Sequence, residues 1–255
     1  TGFWGKQVKS SLGNTLKMLN PIIILDEGHK AYSANARKTL EDFNPSVIVE
    51  LTATPTDESN KLVEIFGIEL NREEMIKFDL HIYNKANTDW RETLLEAHNH
   101  LEMLKEKARE YQANSGKYIR PICLIQVERT GKDQRKSGFI HSEEVREHLI
   151  QKIGLQPEEV AVKTSEKDEL KDVDDVGGLM SKDCRIRYII TKQALQEGWD
   201  CSFAYSLAIL TKPGSKTALT QLVGRILRQP SAKKTGIKEL DESCLLYTSD
   251  AADEE

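Results

Sequence analysis

The chain has no apolar run approaching the roughly 18 residues of a membrane span; its longest uninterrupted ones are short, such as Ile22 to Leu25. No charged head followed by an apolar stretch opens it, so no signal peptide is visible. Its four cysteines, Cys123, Cys184, Cys201 and Cys244, form no C-x-x-C pair and no zinc-finger spacing with histidine. They are expected to be reduced thiols in a cytoplasmic protein. No internal repeat and no low-complexity tract occurs. These absences exclude a collagen, a coiled coil, a membrane protein and a disulfide-stapled scaffold. What remains is 255 residues, 38% hydrophobic and 30% charged, enough for a packed core under a well-solvated surface.

Formal net charge is −5, from 36 basic and 41 acidic residues. The last stretch, 244–255, resembles one reading frame of a transposase-based sequencing adapter and is expected to be non-native, in a place where a strand-like or loop continuation is expected. It holds Asp250, Asp253, Glu254 and Glu255 and no basic residue, so without it 37 acidic residues face 36 basic ones and the charge is −1. A near-neutral chain neither demands nor forbids nucleic acid; the placement of its basic residues decides.

Short apolar runs alternate with helical patterns, the signature of an α/β fold with parallel sheet. Strands are expected at 22–26, 47–52, 121–127, 158–163, 185–191 and 203–210, with a further one at 77–83. Several are continuous apolar runs, as strands covered on both faces are. From 88 to 111, Trp90, Leu94, Ala97, Leu101, Leu104, Ala108 and Tyr111 recur every three or four residues, predicting a long amphipathic helix. At its start Asp89, with Glu92 three positions on, resembles a capping box, with Asp in place of the usual Ser or Thr. Asn114-Ser-Gly-Lys117 reads as a break, which places a domain boundary near residue 115.

Four motifs carry chemistry. In Pro21-Ile-Ile-Ile-Leu-Asp26-Glu27-Gly28-His29, a buried strand ends in two adjacent carboxylates, at the end of an α/β sheet that faces the ligand crevice. One carboxylate there can hold Mg²⁺ while the other activates a water. The alternative is an ordinary Asp-Glu-Gly loop after a strand. Leu51-Thr52-Ala53-Thr54-Pro55 puts two hydroxyls at a second strand end, as a hydrogen-bond relay or as a simple strand stop.

The third motif runs from Ile190 through Thr191 to Gly198-Trp199-Asp200, a strand end followed by a sharp polar corner. The fourth is a helix expected over 215–228. There Leu219, Leu222, Val223, Ile226 and Leu227 form an apolar stripe, with Gln221, Arg225 and Arg228 on the other face within about 60° of each other. With Gly224 allowing close approach, that face is either an arginine clamp for a transferring phosphoryl group or a solvated polar surface. Arg129, Lys132, Arg135 and Lys136 further cluster in one Gly-containing loop, suited to gripping phosphates or to plain solvation.

DEGH, LTATP, TKQALQEGWD and QLVGRILR, in this order, resemble motifs II, III, V and VI of DEAD/DEAH-type superfamily 2 helicases. Over 21–33, 118–134, 189–210 and 220–234 the chain is more narrowly similar to the Res motor subunit of type III restriction endonucleases. The resemblance covers nearly all of 15–243. It implies two RecA-like parallel-sheet lobes: the end of lobe 1 with a linker helix over 1–115, and lobe 2 over 116–243. It also implies ATP and Mg²⁺ as cofactors, with Asp26 holding the metal and Glu27 activating the water. His29 would serve the nucleotide site or the second lobe, and Thr52 and Thr54 would couple hydrolysis to lobe movement. Gly198 and Asp200 would meet nucleotide and nucleic acid, with Thr191 nearer the latter. Gln221 with Gly224 would line the γ-phosphate region, and Arg225 and Arg228 would be arginine fingers.

The resemblance further implies translocation on double-stranded DNA, mainly through its backbone, and a methyltransferase subunit as partner. The alternatives are an RNA or DNA-repair helicase of the same superfamily, or a non-catalytic nucleic-acid-binding module. The family pattern departs in one respect. No G-x-x-x-x-G-K-[ST] loop is present: Gly5-Lys6, Gly116-Lys117 and Gly131-Lys132 are followed by Gln7, Tyr118 and Asp133. The chain is therefore expected to be a central fragment, lacking the phosphate loop and the nuclease domain, with no ATP hydrolysis of its own.

Overall fold

The computed structural model describes residues 11–31, 33–53, 55, 59–85, 89–128, 140–164, 167–192, 199–211 and 216–248. Among them lie two parallel sheets in two compact units, 1–64 and 65–255.

In the first unit, α1 (Leu12–Leu19) is capped by the Ser11 hydroxyl, which accepts from the Asn14 amide at 3.2 Å. Strand β1 (Ile22–Asp26) pairs in parallel with β2 (Val47–Leu51), Ile22 opposite Val47 and Asp26 opposite Leu51. The crossover between them is α2 (Ala34–Asp42), capped by Ser33. Every β2 side chain is exposed, as are Ile22 and Ile24 of β1.

The second unit holds a six-stranded sheet, all parallel, in the order β3-β8-β7-β4-β6-β5. Its strands are β3 (Asp79–Lys85), β4 (Ile122–Gln126), β5 (Val160–Lys163), β6 (Tyr188–Thr191), β7 (Ala204–Ile209) and β8 (Glu242–Thr248). On β4, Cys123 and Ile125 enter one apolar cluster and Ile122 and Leu124 the other, so both sheet faces are covered. This is why the sequence there is apolar without alternation. The covering helices are α4 (Trp90–Ser115), α5 (Ser142–His148), which runs on into a π-helical turn, and α6 (Lys216–Ile226). The short α3 (Gly67–Arg72) precedes β3. No helix among the described residues is long and apolar enough to cross a membrane.

The compact units divide after Glu64, not near residue 115, because β3 joins the second sheet and α4 buries its apolar face there. Residues 244–248, expected to be non-native, complete β8 between β3 and β7. The reason is their composition: Cys244, Leu245 and Leu246 are buried, the first and third in one cluster and the second in the other.

Candidate functional site

The acidic motif sits where its sequence places it. Asp26 is the last residue of β1 and is exposed; Glu27 is half-buried in the turn that follows. Glu27 has φ 53°, a left-handed conformation that a side-chain-bearing residue adopts only at a cost. Behind it Gly28 is buried, and a Cβ there would stand 3.2 Å from the Glu50 Cβ. Glycine thus lets the turn lie close against β2. Between this strand end and α2 opens a cavity of about 330 Å³, lined by Leu25, Asp26, Glu27, Gly28, Ala31, Ala36, Thr39 and Leu40.

The two carboxylates of this turn are hard oxygen donors of the kind Mg²⁺ takes, one or two at a time, beside substrate phosphates. No group of three or more His, Cys, Asp or Glu able to hold a metal occurs among the described residues, so a metal here would rely on that mode of binding. Thr52 is half-buried just beyond β2; Thr54 and the His29 side chain lie outside the described residues.

In the second unit the third and fourth motifs meet. Arg228 pairs with Asp200 at 2.5 Å, both side chains well exposed. Arg225 is instead buried, and its guanidinium donates to the Trp199 carbonyl oxygen. The expected helix over 215–228 ends at Ile226, so Arg228 does not share a helical face with Gln221 and Arg225. The cause is an antiparallel bridge to the segment before β3. The Lys77 amide donates to the Leu227 carbonyl at 2.6 Å, and the Gln229 amide to the Met75 carbonyl at 3.0 Å. Gln221 is half-buried, and Gly224 is exposed with open space around it.

Thr191 closes β6, buried, opposite Gln126 at the end of β4. Neither the Thr191 hydroxyl nor the Gln126 side-chain carbonyl has a hydrogen-bond partner. Two orphaned polar atoms at the carboxyl edge of a parallel sheet are unusual enough to mark that edge. Gly198 and the basic residues Arg129, Lys132, Arg135 and Lys136 lie outside the described residues.

Two residues escaped the sequence reading. Gln126 carries no motif signature. Lys77 is fully buried, its ammonium donating to the carbonyls of Ser202 at 3.1 Å, Ala204 at 2.9 Å and Arg228 at 2.7 Å. Backbone acceptors leave no mark in a sequence, so nothing there could have found it.

Residues 6–57 match the family model described as type III restriction enzyme, res subunit. That stretch is Res-like. It holds the whole first unit's sheet and the acidic motif, and so agrees with the resemblance drawn from the motifs. Among solved structures, the chain is similar to a fragment described as an HsdR subunit of a type I restriction enzyme from Vibrio vulnificus YJ016. Identity is 16% and the TM-score 0.54, over 95% of this chain and 47% of that one. The chain thus spans about half the length of that protein, and the likeness shows the shared α/β fold.

Weaker likenesses connect it to the type ISP restriction-modification enzyme LlaBIII bound to DNA (TM-score 0.47, 14% identity, 92% of this chain and 19% of that one). A further one is S. cerevisiae Dbp5 bound to RNA and ADP BeF3 (TM-score 0.44, 13% identity, 97% and 61%). At these scores neither adds to the fold assignment. A comparison with curated proteins finds no match.

Proposed function

We propose that the Res-like chain is the central part of an ATP-dependent translocase on double-stranded DNA, the motor of a type III restriction system. The observation that carries this reading is the Asp26–Glu27 pair at the carboxyl end of a parallel strand, inside the stretch similar to res subunits. Asp26 would hold Mg²⁺, which would supply electrostatic stabilisation to a departing phosphoryl group. Glu27 would take the proton of the attacking water, and its half-buried place in a strained turn fixes its carboxylate for that task. His29 of the first unit, and Gly198, Asp200, Gln221 and Gly224 of the second, would each serve nucleotide binding, and Thr52 and Thr54 would couple its hydrolysis to movement.

Of the two motif arginines, Arg228, exposed and paired with Asp200, would reach a phosphate by giving up that pair, whereas Arg225 is buried and donates to the Trp199 carbonyl. Arg225 then acts by holding the Trp199–Asp200 corner against α6. Thr191 and the basic loop with Arg129, Lys132, Arg135 and Lys136 would meet the DNA backbone. Such contacts are indifferent to sequence, so site recognition would fall to a methyltransferase partner.

The chain contains no phosphate-cradling loop, and by itself it is expected to bind DNA in a salt-dependent manner without turning over ATP. Joined to residues that supply such a loop, it should hydrolyse ATP on adding double-stranded DNA. In that protein Glu27→Gln should abolish hydrolysis and spare ATP binding, and Arg228→Ala should lower kcat by roughly 10³-fold. Unchanged turnover in both variants would sink the site assignment. Stimulation by RNA but not by duplex DNA would transfer the chain to the RNA helicases, and DNA binding without any turnover would make it a binding module.

A further inference from the structure

We infer that Lys77 is a positioning residue for Arg228, a clamp that sets the reach of the motif arginine from a segment outside every motif. The inference rests on the proposed role of Arg228 for its functional meaning, but the clamp itself is a matter of geometry. Lys77 approaches the Arg228 peptide from two sides. Its backbone amide holds the Leu227 carbonyl, while its ammonium, buried beneath, holds the carbonyl of Arg228 itself. The same ammonium holds Ser202 and Ala204, just after Asp200, the side-chain partner of Arg228. One cation therefore ties together the two backbone stretches that carry the Asp200–Arg228 pair. All three ammonium protons are used, and the Tyr205 ring lies 4.0 Å from the nitrogen, completing a site shaped for a charged amine.

A neutral amine would fit this site poorly. It has two protons and a lone pair where three carbonyl oxygens converge, so one carbonyl would face a lone pair. Burial brings the Lys77 pKa down to about 7, against the smaller opposing pull of Cys201 and Asp241. Cys201 and Tyr205 beside it do not titrate there: burial pushes the Cys201 thiol up to about 11 and holds Tyr205 well above its ordinary value. Loss of the Lys77 proton near neutrality should then loosen the Arg228 peptide and free its guanidinium from Asp200.

The 255-residue chain itself provides the test, through phenylglyoxal labelling of its arginines read by mass spectrometry across neutral pH. Arg109, exposed on α4, is the internal reference that removes the reagent's own pH dependence. In the wild type the ratio of Arg228 to Arg109 labelling should rise several-fold through an inflection near neutral pH. In Lys77→Met it should be high throughout, with the inflection gone. Should that variant not fold, Lys77→Arg replaces it, because a guanidinium does not titrate in this range and must also erase the inflection. A flat wild-type ratio, or an inflection that survives in whichever variant folds, overturns the clamp. Failure of the functional reading shows separately. Full ATP turnover by Arg228→Ala in the protein with a phosphate loop would remove the role of the arginine while leaving the labelling result intact.

Discussion

His98 and His100 sit at the interface between α4 and the large sheet, where the ring Nδ1 of His98 is 2.8 Å from the Tyr188 hydroxyl and that of His100 is 2.9 Å from the Ser206 hydroxyl. Burial lowers both pKa values from 6.5, for His98 against the pull of Glu102 and for His100 with added repulsion from His81. His148, edge-on to Trp90 at 5.4 Å, is lowered by burial as well. Each therefore binds its proton more readily in the unfolded chain than in the folded one. Stability is whole above the unfolded value of 6.5 and falls as pH drops through it towards the folded values. Urea midpoints should decline on acidification through this window, and His100→Gln should flatten the decline; an unaltered slope in that variant would refute the assignment.

At this scale the sequence was an uneven guide. Asp26 and Glu27 declared themselves by following four aliphatic residues, and Asp200 and Arg228 were both singled out by motif. Their pairing was not legible, and neither was the burial of Arg225, because both depend on where residue 228 leaves its helix. That exit is imposed by Lys77, 151 positions away by the hydrogen bond that joins them.

Helix α4 shows how far periodicity carries. Of its apolar positions as read from the sequence, Trp90, Leu94, Ala97, Leu101, Leu104 and Ala108 are buried, with Thr93 besides, while Tyr111 is half-buried; Asp89 caps the helix by accepting from the Arg91 amide at 3.0 Å. Periodicity told which face is buried but not against which sheet, and the compact units divide before the helix rather than after it. The strands were legible for a related cause: apolar runs covered on both faces stand out from their surroundings.

The first unit, equally legible as strand–helix–strand, is physically the weaker one. A two-stranded sheet with exposed Ile22, Ile24, Val47, Ile48, Val49 and Leu51 buries little, and such a pair is marginal in water. Limited proteolysis of the chain should therefore cut within 1–64 well before 90–126, and amide exchange in β1 should outpace that in β4. Equal protection of both strands would contradict this ranking.

Taken as a whole molecule, the large sheet makes a demand on residues 244–248 that is independent of where they come from. Between β7 and β3 there is room for one parallel strand, closed above and below by the two apolar clusters. Ser243, the second residue of the strand, has its hydroxyl fastened to the Ile226 carbonyl at 2.8 Å, and the next three residues are buried. Without a strand there β3 loses its partner, and with it the support of the segment that carries Lys77.

We propose that the string from Cys244 onward is adapter-derived and fills this place because Cys-Leu-Leu-Tyr satisfies the two-faced apolar requirement by chance. A native segment in its place would satisfy it by design. Long-read sequencing of the source DNA across codon 243 should then replace the string with a different short run of β-branched or aliphatic residues, ending in a turn. A continuation rich in charge, glycine or proline would show that the strand order of this sheet edge differs in the natural protein. An unchanged Cys244-Leu-Leu-Tyr would return the string to the protein and remove the proposal of an adapter.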